Sequence, residues 1–317
     1  HLDHTQLSKF RSSLEFRQIA TVLVYILYHF LKSGILSNNG LFGVDSTELA
    51  NEYRWPVCTI KIKGKKKVKI YTDLDCDCGT RRNKRDKSKY FVGYRLHTLT
   101  AINAKTGHNF PLISLLAPGN HHDSQFLKSL VQLAQKMGIE IKLITADEAY
   151  HDKDGTVLKD TGVHVITPPN TKVKLPENVN SNPLQIYCND ECEIPMKRVA
   201  TTDKVHEYKC NASNGECIYS SICSQYREIG IDSGVFQRLP IDSEYVQEAI
   251  DIRKNVERPF NLLKKREGLE QVRVRSQGAL VVKSAIANMA TLLIEMAGYR
   301  KKERKNFEQM KLLNIAS

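Results

Sequence analysis

The stretch LITADEAY, residues 143–150, decides the fold class, because in it a buried strand runs directly into a carboxylate. An earlier stretch, LFGVDST at residues 41–47, repeats this form with a short apolar run that ends on Asp45. Short apolar runs bounded by polar residues are typical of buried strands. We therefore predict two strands that each end on a carboxylate, Asp45 after the first and Asp147 after the second.

The periodicity of the remaining chain predicts an α/β fold. Two strand-like runs, Tyr90 to Asn103 and Asn109 to Ala117, are joined through a hairpin turn at residues 105–107. Residues 120–138 are predicted to form a helix that Asp123 or Ser124 caps. The other predicted helices are at residues 12–33, 153–161, 242–267 and 279–296, with a further strand at residues 163–167. A mixed sheet covered by helices is the economical arrangement for this order of elements.

Composition narrows the class of partner. The chain has 317 residues with 41% hydrophobic content, and its 47 Lys and Arg against 35 Asp and Glu give a formal net charge of +12. A basic excess of this size favours a polyanion, either nucleic acid or an anionic membrane. The most apolar stretch, residues 19–31, is too short to span a bilayer and contains His29. We therefore expect no membrane partner.

A polar segment at residues 170–238 interrupts the periodic pattern and indicates an inserted subdomain. It contains five late cysteines, namely Cys188, Cys192, Cys210, Cys217 and Cys223. With no secretory signal ahead of them, thiols or a metal site are favoured over a disulfide framework. Their spacing is looser than that of a zinc ribbon. Two interpretations therefore stay open, a structural Zn²⁺ site and ordinary thiols.

A third candidate carboxylate lies on the late helix. At 3.6 residues per turn, Arg253, Glu257 and Lys264 fall within roughly 40° of one another, so one face presents a carboxylate flanked by two cations. Pro259 lies inside this pattern and predicts a kink or a late start of the regular helix. An adjacent apolar stripe would seat the helix on the sheet, and its members are Val256, Phe260 and Leu263.

Taken together, these motifs resemble the bacterial insertion-sequence transposases of the DDE superfamily. In that family the first Asp is followed by Ser or Gly and then Thr, as in residues 45–47, and the second begins an Asp-x-x-Tyr motif, as in residues 147–150. Arg253, Glu257 and Lys264 are in register with the family's Tyr-x2-Arg-x3-Glu-x6-Lys signature, although Ile250 occupies its Tyr position. Segments 93–97, 120–123 and 273–275 are also family-like, and the resemblance covers about residues 40–298.

The resemblance implies a ribonuclease H-like mixed sheet flanked by helices, with a cysteine-containing insertion before the last catalytic helix. It implies an N-terminal helical segment at residues 1–39, the remnant of a larger DNA-binding region. The core would occupy residues 40–169 and 239–298, with the inserted subdomain at residues 170–238 and a basic tail at residues 299–317.

The activity implied is metal-dependent strand cleavage at transposon ends and strand transfer into target DNA. In-line displacement at phosphorus needs charge neutralised on the entering and leaving oxygens, which two Mg²⁺ ions held by carboxylates supply. Asp45, Asp147 and Glu257 would be the catalytic, metal-binding carboxylates, with Mn²⁺ able to substitute. The expected partners are the terminal repeats and target DNA, bound by a dimer at the nucleoid of the bacterial cytoplasm. The expected DNA-binding residues are Arg253, Lys264, Lys65, Lys66, Lys67, Arg81, Arg82, Arg273 and Arg275.

Alternatives to this interpretation stay open. Asp73, Asp75 and Asp77 compete with Asp45 for the role of first carboxylate, and Asp45 is preferred because a buried strand precedes it. One alternative function is a domesticated, transposase-derived DNA-binding protein without catalysis. Another is a ribonuclease H-like nuclease without strand transfer.

Overall fold

The computed structural model describes most of the chain in two compact units. The described residues are 6, 9–10, 13–35, 41–51, 56–61, 67–80, 90–103, 106–152, 155–168, 177–181, 184–189, 191–202, 204–211, 225–231, 239, 243–265, 269 and 276–315. The first unit contains His1–Lys142 and Lys254–Ser317, and the second contains Leu143–Arg253. The domain boundaries expected from the sequence remain predictions.

The first unit contains six strands, four α-helices and one 3-10 turn among the described residues. Its elements before residue 143 are α1 (Phe16–Lys32), β1 (Leu41–Ala50), β2 (Cys58–Lys61), β3 (Lys67–Ile70), β4 (Asp77–Thr80), β5 (Tyr90–Asn103), β6 (His108–Pro118) and α2 (Ser124–Lys136). Its later elements are a 3-10 turn (Lys254–Val256), α5 (Glu257–Lys265) and α6 (Gln277–Ile315).

Strand β5 is the centre of an antiparallel sheet in the first unit. It pairs with β1 from Ile102 to Gly93 along one edge and with β6 from Asn103 to Tyr94 along the other. Its first residues also pair with β4. Both edges of β5 are thus occupied, and nearly all of its side chains are buried. The hairpin of β5 and β6 confirms the one predicted from the sequence, extended by one residue at each end of β6.

Helix α2 shows why the predicted helix at residues 120–138 is shorter than expected. Its buried face consists of Leu127, Leu130, Val131 and Ala134. Gly138 adopts φ +80°, and the amides of Gly138 and Ile139 donate to the carbonyls of Gln135 and Ala134. This is a Schellman ending, in which the left-handed glycine stops the helix at little steric cost.

Helix α6 is a core helix that extends well beyond its predicted end at residue 296. By length and composition its segment Gln277–Glu303 is able to cross a membrane, yet 44% of its most apolar window is buried within the fold. The Asn288 amide donates to the carbonyls of Pro111 and Leu112 in β6, at 3.2 and 3.3 Å. These bonds and the packing of α6 on β6 account for its apolar face.

The second unit combines a parallel strand pair with small antiparallel sheets. Its elements are β7 (Leu143–Ala146), a 3-10 turn (Glu148–Tyr150), α3 (Thr156–Thr161), β8 (His164–Ile166), β9 (Val179–Ser181), β10 (Leu184–Ile186), β11 (Lys197–Thr201), β12 (Val205–Lys209), β13 (Tyr226–Gly230) and α4 (Glu244–Arg253). β7 and β8 are parallel and pack against α4, while β9–β10 and β11–β12–β13 are antiparallel. Ile186, Met196, Tyr208 and Ile229 form a separate small core. The chain is thus a mixed α/β protein.

Candidate active site

Asp45 lies in the middle of β1, which corrects the prediction that the strand ends there. The strand continues to Ala50 because Thr47 and Leu49 remain buried and each residue of β1 pairs with one of β5. Asp45 is half-buried opposite Thr98, and its Oδ1 accepts the Ser46 amide at 2.7 Å. Alternate strand residues share a face, so Asp45 lies on the face that carries Gly43, Thr47 and Leu49.

The face of the sheet that carries Asp45 is covered by α5 and α6. Phe260 and Leu263 of α5 pack in one buried cluster with Leu49 and Leu96 of that face. Beside Asp45, the Thr98 hydroxyl shares a hydrogen bond with Ser114, which donates to Asn288 of α6. The apolar stripe predicted to seat the late helix on the sheet is therefore confirmed.

The contact that seats Glu257 next to β1 is unusually close. A β-carbon built on Gly43 would stand 2.2 Å from Cγ2 of Val256, whose side chain is fully buried. The absence of a side chain at Gly43 therefore lets the turn before Glu257 lie directly on the strand, two residues from Asp45. Glu257 itself is exposed as the first residue of α5.

The late helix is not continuous, so Arg253 and Glu257 do not share one helix face as predicted. Helix α4 ends at Arg253, a 3-10 turn follows, and α5 begins at Glu257. In a continuous helix the ring of Pro259 would clash with the carbonyl of Asn255. Starting at Glu257 places Pro259 in the first turn, where no intrahelical amide bond is required. This confirms the predicted late start, while Glu257 and Lys264 stay on one helix.

Asp147 lies in the second unit at the end of β7, as predicted. The strand is buried through Ile144, Thr145 and Ala146. Asp147 is half-buried with extended backbone, and its Oδ1 accepts the Glu148 amide at 2.8 Å, which starts the short 3-10 turn. That turn buries Tyr150, so the Asp-x-x-Tyr spacing has a local physical reason.

On the opposite face of β1, polar side chains form a set of linked hydrogen bonds and ion pairs that the sequence did not predict. Asp123 occupies the N-cap position of α2 but makes no side-chain cap bond, which corrects its predicted role. Its carboxylate instead accepts the Ser46 hydroxyl at 3.3 Å and pairs with Arg95 at 3.6 Å. Arg95 also donates to the Thr80 carbonyl at 2.6 Å. The arrangement ties α2 to the residue that follows Asp45, and only the family-like segments 93–97 and 120–123 signalled it.

His97 lies beside these linked polar side chains and is fully buried. Its ring stacks on Phe126 with centroids 4.3 Å apart. Burial, followed by the nearby Arg95 and His121, lowers the pKa of His97 to about 3. The imidazole is therefore neutral at ordinary pH and acts as part of the core.

Asp73, Asp75 and Asp77, the alternative candidates for the first carboxylate, have structural roles in the described fold. These three residues are called the acidic run below. Asp73 is 1% exposed, and its Oδ2 accepts the Tyr94 hydroxyl at 2.8 Å. Burial, together with that bond, raises the pKa of Tyr94 above its usual range. Asp75 accepts the amide of Gln277 at the start of α6, and Asp77 accepts the amide of Cys78 in β4. These bonds account for the run without catalysis.

The predicted DNA-binding residues are only partly within the described ranges. Lys67 is exposed in β3, Lys264 is half-buried in α5, and Arg253 is half-buried at the end of α4. The Arg253 Nε is buried and has no hydrogen-bond partner among the described residues. The remaining members lie outside the described residues, namely Lys65, Lys66, Arg81, Arg82, Arg273 and Arg275.

The described residues offer no support for the predicted zinc site. Cys188, Cys192 and Cys210 are thiols rather than disulfides, while Cys217 and Cys223 lie outside the described ranges. Within those ranges, no group of three or more His, Cys, Asp or Glu side chains is placed to hold a metal ion. Asp45 and Glu257 belong to the first unit and Asp147 to the second.

Comparison with solved structures gives two distant similarities, each at 12% identity. One is a piggyBac transposase synaptic complex with hairpin DNA, with 92% of this chain and 54% of that chain covered and a TM-score of 0.37. The other is the Ppx/GppA family member of Aquifex aeolicus, with 72% and 61% covered and a TM-score of 0.17. The chain thus spans about half the length of the piggyBac structure. Both TM-scores are too low to assign a fold.

Comparison at the level of sequence families is more informative. No curated protein matches the chain. A family model described as a transposase DDE domain matches residues 55–293, a range that includes Asp147 and Glu257 and starts after Asp45. This match covers most of the 317 residues and confirms the resemblance inferred from the motifs. The chain therefore belongs to the transposase DDE domain family.

Proposed function

We propose that this chain is a DNA transposase that cleaves strands at transposon ends and transfers them into target DNA, with Asp45, Asp147 and Glu257 as its catalytic carboxylates. The observation that best supports this proposal is that α5 lies on the face of β1 to which Asp45 belongs. Val256 fills the space above Gly43, and Phe260 packs with Leu49. This packing supports the proposal, because it holds the strand that carries Asp45 against the turn that precedes Glu257, and a preorganised site needs such rigid support.

The donor chemistry of these residues fits Mg²⁺. All three are carboxylates, the ligands that hard divalent cations prefer, and each of the two aspartates uses one oxygen to accept a backbone amide. We propose that the three residues hold two Mg²⁺ ions, with Mn²⁺ able to substitute. Bound Mg²⁺ activates a nucleophile and neutralises charge on the phosphate oxygens. The amides of Ser46 and Glu148 would orient Asp45 and Asp147.

The cationic residues near the carboxylates would position the DNA backbone. Arg253 is half-buried, and its guanidinium would bind a phosphate oxygen with defined geometry. Lys264 lies on the same helix as Glu257 and would bind a neighbouring phosphate. The basic residues outside the described ranges would extend this contact. We further propose that the chain has a ribonuclease H-like core with a cysteine-containing insertion. We also propose that it acts as a dimer on DNA and is located at the nucleoid in the cytoplasm.

The test measures cleavage and strand transfer on DNA that carries the element's own terminal repeats, with Mg²⁺ present. Asp45→Asn, Asp147→Asn and Glu257→Gln should each abolish both reactions while DNA binding is retained. Glu48→Gln is the matched control, because Glu48 lies on the same strand but on the opposite face. It should keep full activity. Full activity in any one of the three carboxylate variants would remove that residue from the site.

The alternative functions give different outcomes in the same assay. Robust binding of the wild-type chain without Mg²⁺-dependent cleavage would indicate a domesticated DNA-binding protein. Cleavage without joined products would indicate a nuclease that lacks strand transfer. Loss of activity in Asp77→Asn together with full activity in Asp45→Asn would move the first carboxylate to the acidic run.

A further inference from the structure

Strands β2 and β3 form a two-stranded ribbon that is not part of the main sheet. The pairs are Cys58 with Ile70, Thr59 with Lys69, Ile60 with Val68, and Lys61 with Lys67. The ribbon is extended by the Val57 amide, which donates to the Ile70 carbonyl at 2.7 Å. All eight residues except Ile70 are exposed.

The pairing sorts the side chains of the ribbon by chemistry. Directly opposed residues of an antiparallel pair share a face, and alternate residues do so along each strand. Lys61, Lys67 and Lys69 therefore lie together with Thr59 on one face, which we call the lysine face. Cys58, Ile60, Val68 and Ile70 lie on the other, of which Ile60 is 47% and Val68 is 44% exposed.

The lysine face concentrates like charge where the fold does not compensate it. Lys61 and Lys67 are directly opposite, so their β-carbons are about 5 Å apart, an arrangement that destabilises an isolated strand pair. No ion pair within the described residues joins these three lysines to an acidic side chain. From Cys58 to Ile70 the sequence contains six lysines and no Asp or Glu.

A two-stranded ribbon of this kind is marginally stable on its own in water. A polyanion along the lysine face would remove the repulsion between the opposed lysines and so favour the paired form. A two-stranded ribbon has the dimensions to enter the major groove of B-form DNA or to follow its backbone. Charge, exposure and shape therefore point to the same kind of partner.

We propose that the lysine face of the β2–β3 ribbon binds the phosphate backbone of double-stranded DNA and is a main source of the chain's affinity for it. This inference rests on the proposed function only in taking DNA as the substrate, since it requires no catalysis. Lys61, Lys67 and Lys69 would each neutralise one phosphate. Ile60 and Val68 would contribute little, because they point away from the bound backbone.

The experiment measures binding of a fluorescein-labelled, mixed-sequence duplex to the full chain over a series of salt concentrations. It uses the Asp45→Asn background to prevent cleavage. The test variant replaces Lys61, Lys67 and Lys69 with Gln. The matched control replaces Lys136, Lys142 and Lys159, three exposed lysines outside the ribbon, and removes the same charge. A second variant, Ile60→Thr with Val68→Thr, changes the other face and keeps residues suited to strands.

Loss of three phosphate contacts should lower the slope of log K against log salt by about 2.7, since each contact contributes about 0.9. At physiological salt this corresponds to a loss of affinity of roughly 100-fold. The lysine control and the Ile60, Val68 variant should keep the wild-type slope. Circular dichroism of all variants checks that the fold is intact.

Three outcomes would overturn the inference. The first is an unchanged slope in the ribbon variant. The second is an equal loss in the lysine control, which would indicate that only net charge matters. The third is unchanged DNA binding with loss of binding to phosphatidylserine vesicles, which would assign the face to a membrane surface. Failure of the proposed function is distinct, because a wild-type chain that binds through the ribbon but never cleaves would retract catalysis alone.

Discussion

Replacing Gly43 with Ala tests the contact that places α5 on β1. The new β-carbon would stand 2.2 Å from Cγ2 of Val256 and 3.1 Å from Cδ1 of Ile102. Val256 is β-branched and fully buried, so its methyl group has few ways to move aside. Overpacking of this kind costs about 1–3 kcal/mol. The smaller entropy of the unfolded Ala variant offsets about 0.4–1 kcal/mol, which leaves a net destabilisation of about 1–2 kcal/mol.

A double-mutant cycle assigns this cost to the one contact. Val256→Ala alone should destabilise by about 2–3 kcal/mol, because it removes two buried methyl groups and leaves a cavity. In the double variant the new methyl group enters the space that Val256 vacates. The two changes should therefore be non-additive, and the double variant should be about 1–2 kcal/mol more stable than their sum predicts.

The assay is urea unfolding followed by circular dichroism, with the free energy of unfolding compared among the four proteins. Cleavage provides a second readout, because a shifted turn would displace Glu257 from the Asp45 face. Gly43→Ala should therefore slow cleavage at a protein concentration where the variant remains folded. Additive destabilisation in the cycle, or a Gly43→Ala variant as stable and active as wild type, would refute the contact.

Three further predictions concern groups around the sheet. Asp123→Ala should destabilise the chain by about 1.5–3 kcal/mol in urea, because it removes the charged partner of Arg95; an unchanged midpoint would contradict this. Burial lowers the pKa of His97 to about 3 in the folded state. Below pH 6.5 the unfolded state therefore binds a proton at His97 that the folded state does not bind. Stability should therefore fall by about 2 kcal/mol from pH 7 to pH 5, and His97→Gln should remove this part of the slope. Tyr94→Phe deprives buried Asp73 of a hydrogen bond and should cost about 1.5–3 kcal/mol without abolishing Mg²⁺-dependent cleavage; abolished cleavage in a folded variant would revive the acidic run as a catalytic group.

Features with a local cause were predictable from the sequence. The β5–β6 hairpin follows from two apolar runs around Thr106-Gly107, and the end of β7 at Asp147 follows from the short run before it. The late start of α5 follows from Pro259, because the proline restriction acts within one turn. Family motifs predicted the superfamily from the same short segments. In each case the physical interaction spans only a few residues, so the pattern of neighbours is sufficient.

Features that depend on distant residues were not predictable in this way. The sequence suggested that β1 ends at Asp45, but pairing with β5 carries the strand on to Ala50. Asp123 has the sequence context of a helix cap, yet its carboxylate bonds to Ser46 and Arg95, which come from two different strands. The local sequence does not show which of these bonds forms, because the Asp123 carboxylate accepts a hydrogen bond equally well from a helix amide or from a distant side chain.

The sequence by itself determined the candidate groups for the site, namely three carboxylates in strand and helix contexts, and it contains a dense run of lysines. Only the tertiary structure decided which sheet face Asp45 lies on, that Gly43 leaves room for Val256, and that the lysines of β2 and β3 lie on a single face. The physical reason is that side-chain identity and short-range periodicity are properties of the chain. The sheet face on which a side chain lies, the register of paired strands and the close contact of two backbones are set only when distant segments pack together and exclude water.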